Sequence, residues 1–142
     1  LQAMQVSCHS FIEMAHHAEP LMNPGGALIT MSYYGADKVV NNYNLMGPVK
    51  AALESSVRYL AKELGEKDIR VFAVSPGPLR TRAASGIGHF DELIDMAVTR
   101  SPGHRLVDIA EVGRAVAFLV GGGASGMTGD VVYVDAGLHI MA

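Results

Sequence analysis

Tyr33, Tyr43 and Lys50 carry the chemistry most legible in this chain. The segment YNLMGPVK (43–50) follows Tyr33 where an apolar, strand-like run gives way to a helix-like one. A tyrosine acid beside a lysine is a way to handle a developing oxyanion. A free phenol has a pKa of about 10, and a nearby ammonium favours its ionised form. The same residues also read as a packed aromatic and a solvated lysine at a helix start, and the features downstream weigh between the two.

The elements that must position these groups alternate in type. ALITMSYY (27–34), entered by the turn NPGG (23–26), reads as a buried strand. The stretch 44–64 reads as a helix with Asn44 as its cap, Val49, Leu53, Val57, Leu60 and Leu64 on one stripe, and Gly65 as its stop. Within such a helix Tyr43 and Lys50 would share a face, with Cα atoms about 10 Å apart along the axis. Pro48 would stand near the fourth helical position and distort it locally. IRVFAVSPG (69–77) is a second buried strand rich in β-branched residues, and HFDELIDMAV (89–98) a short amphipathic helix. Asp108 and Glu111 form a capping-box pattern ahead of inward-facing Ile109, Val112, Val116 and Leu119. VVYVDAG (131–137) is the last strand. Alternating strands and helices predict a parallel α/β sheet, and three strands make half of a doubly wound domain.

Composition sets limits. A chain of 142 residues, 49% hydrophobic and 18% charged, makes one domain at most with a real core. A net charge of −3 gives no electrostatic case for nucleic acid or an anionic membrane as partner. Cys8 is the only cysteine, so it has no internal disulfide partner and reads as a small buried side chain in a reducing compartment. The six histidines show no ligand spacing, so no metal is expected. No run reaches transmembrane length, and the expectation is a soluble cytoplasmic protein. The chain opens on LQAMQVSCHSFIEMAHHAEPLM, periodic from its first residue through Leu1, Met4, Cys8, Phe11, Ile12 and Ala15. A chain that starts inside a helix looks cut from something longer.

Taken together, the Tyr-x6-Lys spacing with Met46 and Gly47 inside it, Tyr33 upstream, RTRAASGI (80–87) after SPGP, and the closing MTGDVVYVDAG (127–137) resemble one family. They look like the C-terminal half of a short-chain dehydrogenase/reductase, and more narrowly of the bacterial enoyl-acyl-carrier-protein reductases. The wider superfamily sets its tyrosine and lysine four residues apart, and here position 47 is Gly. The resemblance implies an α/β, Rossmann-like doubly wound parallel sheet of which this chain holds the second half. It implies NADH as cofactor, an enoyl-acyl carrier protein as substrate, and a homotetramer built through the 44–64 helix and the last strand.

Roles follow from the same resemblance. Lys50 would hold the nicotinamide ribose, and Tyr43 would face the thioester carbonyl and stabilise the enolate. Tyr33 would line the same pocket, either acting directly or only shaping its rim. The backbone at Leu79 would meet the nicotinamide carboxamide and Thr81 the pyrophosphate, with Arg80, Arg82 and Ala83 alongside. The alternative for 75–83 is a tight turn with two solvated arginines. Residues 84–100, carrying Ile87, Phe90, Leu93 and Met96, would form an apolar lid over an acyl chain, or else a small helix packed on the core. The glycine-rich turn that cradles a pyrophosphate, and the determinants of NADH against NADPH, would lie in the other half. Pro76 departs from the alanine of enoyl reductases. It leaves room for a ketone or alcohol oxidoreductase, and a non-catalytic fragment retaining only oligomer surfaces is a third reading.

Overall fold

Three strands lie parallel in the order β1 (Ala27–Met31), β2 (Arg70–Pro76), β3 (Val131–Val134). A computed structural model describes residues 1–81 and 89–141. The registers Ala27↔Arg70 and Ala73↔Val131 align the carboxyl ends of all three strands at one edge. Parallel neighbours need long crossovers, and helices fill them. α2 (Met46–Leu64) joins β1 to β2. α3 (Phe90–Arg100) and α4 (Ile109–Val120) lie between β2 and β3. Ahead of β1 the chain runs through an α-turn (Gln2–Met4), a π-helical stretch (Gln5–His9) and α1 (Ser10–Ala18).

Side chains alternate across a strand, so β2 builds two cores at once. Val71 and Ala73 face Phe11 and Ala15 of α1 and Val49, Leu53 and Val57 of α2. Phe72 and Val74 face Val112 and Leu119 of α4. Burial of both faces is what a parallel sheet requires. Phe72 and Leu53, 0% and 1% exposed, each contribute on the order of 2–3 kcal/mol of apolar burial.

Arg70 ties the two ends of this arrangement together. Its buried guanidinium donates to the carbonyls of Leu119 (2.7 Å), Ala124 (3.0 Å), Val120 (3.3 Å) and Gly25 (3.3 Å). Two of those carbonyls belong to the last turn of α4, where they have no helical partner and a positive charge is favoured. At the other end of α4 the capping box forms as expected. Glu111 N–H donates to Asp108 Oδ1 at 2.7 Å, and Asp108 N–H donates to Glu111 Oε2 at 2.9 Å.

Several boundaries depart from the sequence reading. β1 stops at Met31, before Ser32 and Tyr33, and a 3-10 turn (Tyr34–Ala36) follows. β3 ends at Val134 because Ala136 and Gly137 both adopt left-handed φ, 56° and 86°. Asn44 does not cap α2. It sits at φ 48°, as Asn42 does at 63°, in a turn that asparagine tolerates, and the helix begins two residues later at Met46. Pro48 therefore falls in the first turn, where a missing N–H loses no helical bond and no distortion is needed. Gly65 is right-handed (φ −60°) and continues into a 3-10 turn. The reversal is made by Asp68 at φ 55°. Among the residues expected inside the first helix, Cys8, Phe11 and Ala15 are buried, whereas Leu1, Met4 and Ile12 are exposed. The wider π stretch puts the residues before it out of phase with α1. Ile109, at the first position of α4, is also exposed.

Candidate active site

Two glycines allow the tyrosines to meet. A Cβ on Gly35 would stand 2.5 Å from Tyr43 Cδ1, and one on Gly47 would stand 3.0 Å from the Gly35 carbonyl oxygen. Without side chains at both positions, the first turn of α2 lies against the 34–36 turn and the Tyr43 ring packs on Gly35. The Tyr43 and Tyr33 rings then meet edge to face at a centroid distance of 5.0 Å, and Tyr33 meets Tyr34 the same way at 4.8 Å. Such pairs add about 0.5–1.5 kcal/mol beyond area burial. Tyr43 precedes α2 and is not on it, so the two-turn helical separation expected from Lys50 does not apply.

Lys50 belongs to the helix proper. Its ammonium donates to the Met31 carbonyl at 2.7 Å, which fixes it at the carboxyl end of β1. One of its three N–H donors is used there. Burial lowers its pKa, with Cys8 and Glu54 pushing the other way.

The phenols are not activated toward ionisation as expected. Burial pushes Tyr43 up to about 12, and the Glu54 carboxylate adds to the rise. Tyr33 is raised still further, first by burial and then by its neighbour Tyr34. The Lys50 ammonium is turned onto Met31, and Glu54 is the charge that acts on Tyr43. Both phenols are therefore neutral O–H donors near pH 7. The Tyr33 hydroxyl is buried and forms no hydrogen bond of good geometry, although the Tyr34 phenol beside it contributes to the rise in its pKa.

Beside Tyr43 the surface is concave. Tyr43, Gly47, Pro48 and Ala51 line a cavity of about 430 Å³ with residues 35–40. A neighbouring cleft of about 360 Å³ lies between the 39–42 loop and α3, lined by Tyr34, Leu93, Met96 and Arg100. Phe90 is half-buried but lies outside that lining. Ile94 and Ala97 are buried and hold α3 to the body.

Leu79 and Arg80 border a different depression, of about 510 Å³, against the start of α4 at Val107, Asp108 and Ile109. Leu79 packs on the α4-side core, and Arg80 approaches Asp91 at 3.8 Å in an exposed pair that contributes little. Thr81 N–H donates to Leu79 O at 2.9 Å. Tyr33 and Tyr43 thus meet, Lys50 is fixed at the end of the strand that leads to Tyr33, Leu93 lines the cleft beside Tyr34, and Leu79, Arg80 and Thr81 form a separate rim after β2. Arg82, Ala83, Ile87 and the rest of 82–88 lie outside the described residues.

Sequence reasoning missed Gly35, Ser32 and Glu54. Ser32 Oγ donates to Glu54 Oε1 in a buried hydrogen bond. The available signal was a carboxylate inside the apolar stripe of α2, four positions after Lys50. Among the described residues no cluster of His, Cys, Asp or Glu side chains is arranged to hold a metal, and no helix is long and apolar enough to cross a membrane.

Comparison with known proteins adds the family. The family model described as enoyl-(acyl carrier protein) reductase matches residues 1–139. The NADH enoyl-acyl-carrier-protein reductase FabI of Rickettsia bellii is 47% identical over 139 residues, covering 98% of this chain and 53% of that protein. The Synechocystis FabI is 48% identical over 140 residues, covering 99% of this chain and 54% of that protein. The crystal structure of the Aquifex aeolicus enoyl-acyl-carrier-protein reductase (NADH) superposes with a TM-score of 0.94 at 44% identity, covering 98% of this chain and 54% of that one. The Anaplasma phagocytophilum reductase in complex with NAD superposes with a TM-score of 0.92 at 48% identity, covering 98% and 53%. The chain spans about half the length of the relatives it matches.

Proposed function

From a chain that belongs to the enoyl-(acyl carrier protein) reductase family, we propose a catalytic half-site for reducing the carbon–carbon double bond of an enoyl thioester with NADH, in fatty acid biosynthesis. The observation that carries this reading is Tyr43: a half-buried, neutral phenol packed over Gly35 and against Tyr33, which stands two residues beyond the β1 carbonyl that holds the Lys50 ammonium. That edge is where open α/β sheets bind ligands.

The residues present fit a nicotinamide cofactor. Lys50 retains N–H donors beyond the one given to Met31 and would hold a ribose hydroxyl. Leu79, Arg80 and Thr81 follow β2 directly and would meet the carboxamide and pyrophosphate, with Arg82 and Ala83 next in the chain. NADH, when bound, would supply the hydride that goes to the β-carbon of the substrate. Charge then develops on the thioester oxygen, where Tyr43 O–H donates to it and stabilises the enolate. A pKa near 12 keeps that proton on Tyr43, so Tyr43 is a donor in this scheme and not a base. Protonation of the α-carbon from solvent completes the reduction. Tyr33 packs on Tyr43 and restricts where its ring can lie.

Further parts of the reading are proposals of the same kind. Phe90, Leu93 and Ile87 would close over an acyl chain as a lid spanning 84–100, with Leu93 and Met96 facing Tyr34 and the 39–42 loop across the cleft. An acyl carrier protein would deliver the substrate, and the setting would be cytoplasmic. A homotetramer is supported by the outer face of α2, where Ala52, Ser55, Ser56 and exposed Tyr59 form a shallow groove with Ile12.

The test is NADH oxidation by the intact protein with crotonyl-thioester against acetoacetyl-thioester. Turnover of the first alone is expected. Turnover of the second alone would move the protein to ketone chemistry, and failure to bind any dinucleotide, with association intact, would favour a non-catalytic role.

A further inference from the structure

Glu54 has no part in the chemistry above, yet it is a carboxylate 9% exposed between Leu53 and Val57. Burying such a group is costly unless hydrogen bonds compensate it. Its partner is informative. Glu54 lies one helical turn beyond Lys50. Lys50 donates to the Met31 carbonyl, and Glu54 accepts from the Ser32 hydroxyl. Successive turns of α2 therefore grip successive residues of the segment leading into Tyr33. Ser32 N–H also donates to Val74 O at 2.8 Å, so the residue before Tyr33 is tied on one side to the sheet and on the other to the helix.

We propose that Glu54 is a positioning residue for the tyrosine pair: by holding Ser32 Oγ it fixes the backbone entering Tyr33, and with it the edge-to-face contact that orients Tyr43. The proposal rests on the reading of Tyr43 as the oxyanion donor. Charged and titratable groups act on this carboxyl from several elements. Arg58 and Lys50 come from α2 itself, Asp37 from the loop after β1, and Tyr43 and Tyr133 from the two sides of the site, with Cys8 of the π stretch near Lys50. Burial is the largest influence and raises the Glu54 pKa. The carbonyl-type oxygen accepts from Ser32 whether or not the group is charged, so the tether depends on the oxygen and a glutamine preserves it.

The experiment compares Ser32→Ala, Glu54→Ala and Glu54→Gln in the intact protein. It reads kcat, KM for NADH, and the fluorine NMR spectrum of protein labelled with 3-fluorotyrosine. Ser32→Ala and Glu54→Ala should each lower kcat about tenfold, the order expected for one lost hydrogen bond to a carboxylate. The KM for NADH should stay within about twofold, and the double variant should be no worse than either single one. In both, the Tyr33 resonance should shift or broaden. Glu54→Gln should recover the wild-type Tyr33 resonance and a kcat within about threefold of wild type. A Ser32→Ala variant with unaltered Tyr33 resonance and kcat overturns the proposal, as does a Glu54→Gln variant as impaired as Glu54→Ala. Ser32→Ala carries the test if Glu54→Ala does not fold. The fluorine readout needs no turnover. A wild type inactive on enoyl thioesters, whose Tyr33 resonance still moves in Ser32→Ala, would defeat the reaction proposed above and leave the tether standing.

Discussion

The two faces of the sheet grow from the same strands and end differently. Against α4, apolar residues run the length of the strands, with Ile29, Phe72, Val74, Val132 and Val134 in one cluster, and Arg70 bolts that face to the last turn of the helix. Under α2 the rows begin with Leu28, Val71, Ala73 and Val131 and turn polar at their carboxyl ends. There Ser32 reaches Glu54, while Ser75 stands in register with Tyr133 and keeps a buried hydroxyl without a hydrogen bond. One face is filled for stability. The other gives up part of that stability at the carboxyl edge of the sheet to hold a carboxylate, an ammonium and two neutral phenols in place. Functional sites commonly trade stability in this way.

The largest test of that contrast is on the apolar face. Phe72→Ala should destabilise by about 3–5 kcal/mol in denaturant unfolding, the usual range for a buried aromatic. NADH affinity of the folded fraction should remain that of wild type. A weaker affinity would mean the two faces are coupled more tightly than their separate cores suggest.

Asp108→Ala comes next, at about 1 kcal/mol for loss of the cap on α4. The exposed Arg105–Glu111 pair beside it adds little, although Arg105 and the Asp108 N–H hold the Glu111 carboxyl down at about 2. Thermal unfolding checks the figure, and a loss several times larger would show that this helix start carries part of the core.

The smallest effect is on the polar face and has the opposite sign. Burial raises the Glu54 pKa in the fold, so at neutral pH the unfolded state accommodates its charge better. The stability it lends is full below its unfolded pKa and is lost as pH rises through the folded one. Glu54→Gln should therefore unfold at a slightly higher temperature than wild type at pH 7, and the gap should close as pH falls through the carboxyl range. A lower unfolding temperature at pH 7 would mean that the polar face stabilises the fold.

What was legible in the sequence follows the same division. The three strands announced themselves as apolar runs, and Asp108 and Glu111 as a capping box, because both are local patterns. The Tyr43–Lys50 spacing marked the candidate site. Its geometry was hidden, since it depends on Asn42 and Asn44 turning left-handed and on Gly35 making room for a ring that comes from the following segment. Arg70 looked like the start of a strand. Its role appears only when Leu119 and Val120, distant in the chain, present their carbonyls to it. Glu54 read as one more residue of a helix, and only its contact with Ser32 separates it from a solvated carboxylate. Local periodicity reports local structure, and these features are long-range pairings.

The proposed division of labour between Tyr43 and Lys50 is the centre of the account. The direct measurement is kcat and NADH affinity side by side for Tyr43→Phe, Lys50→Met and Tyr33→Phe in the intact protein. Tyr43→Phe should lower kcat about a hundredfold, as loss of an oxyanion donor does, with NADH affinity within about twofold of wild type. Lys50→Met should weaken NADH binding by roughly tenfold or more, the scale of a lost charge-assisted hydrogen bond. Tyr33→Phe should have the smallest effect of the three. Tyr43→Phe and Lys50→Met changing both quantities to the same extent would contradict it.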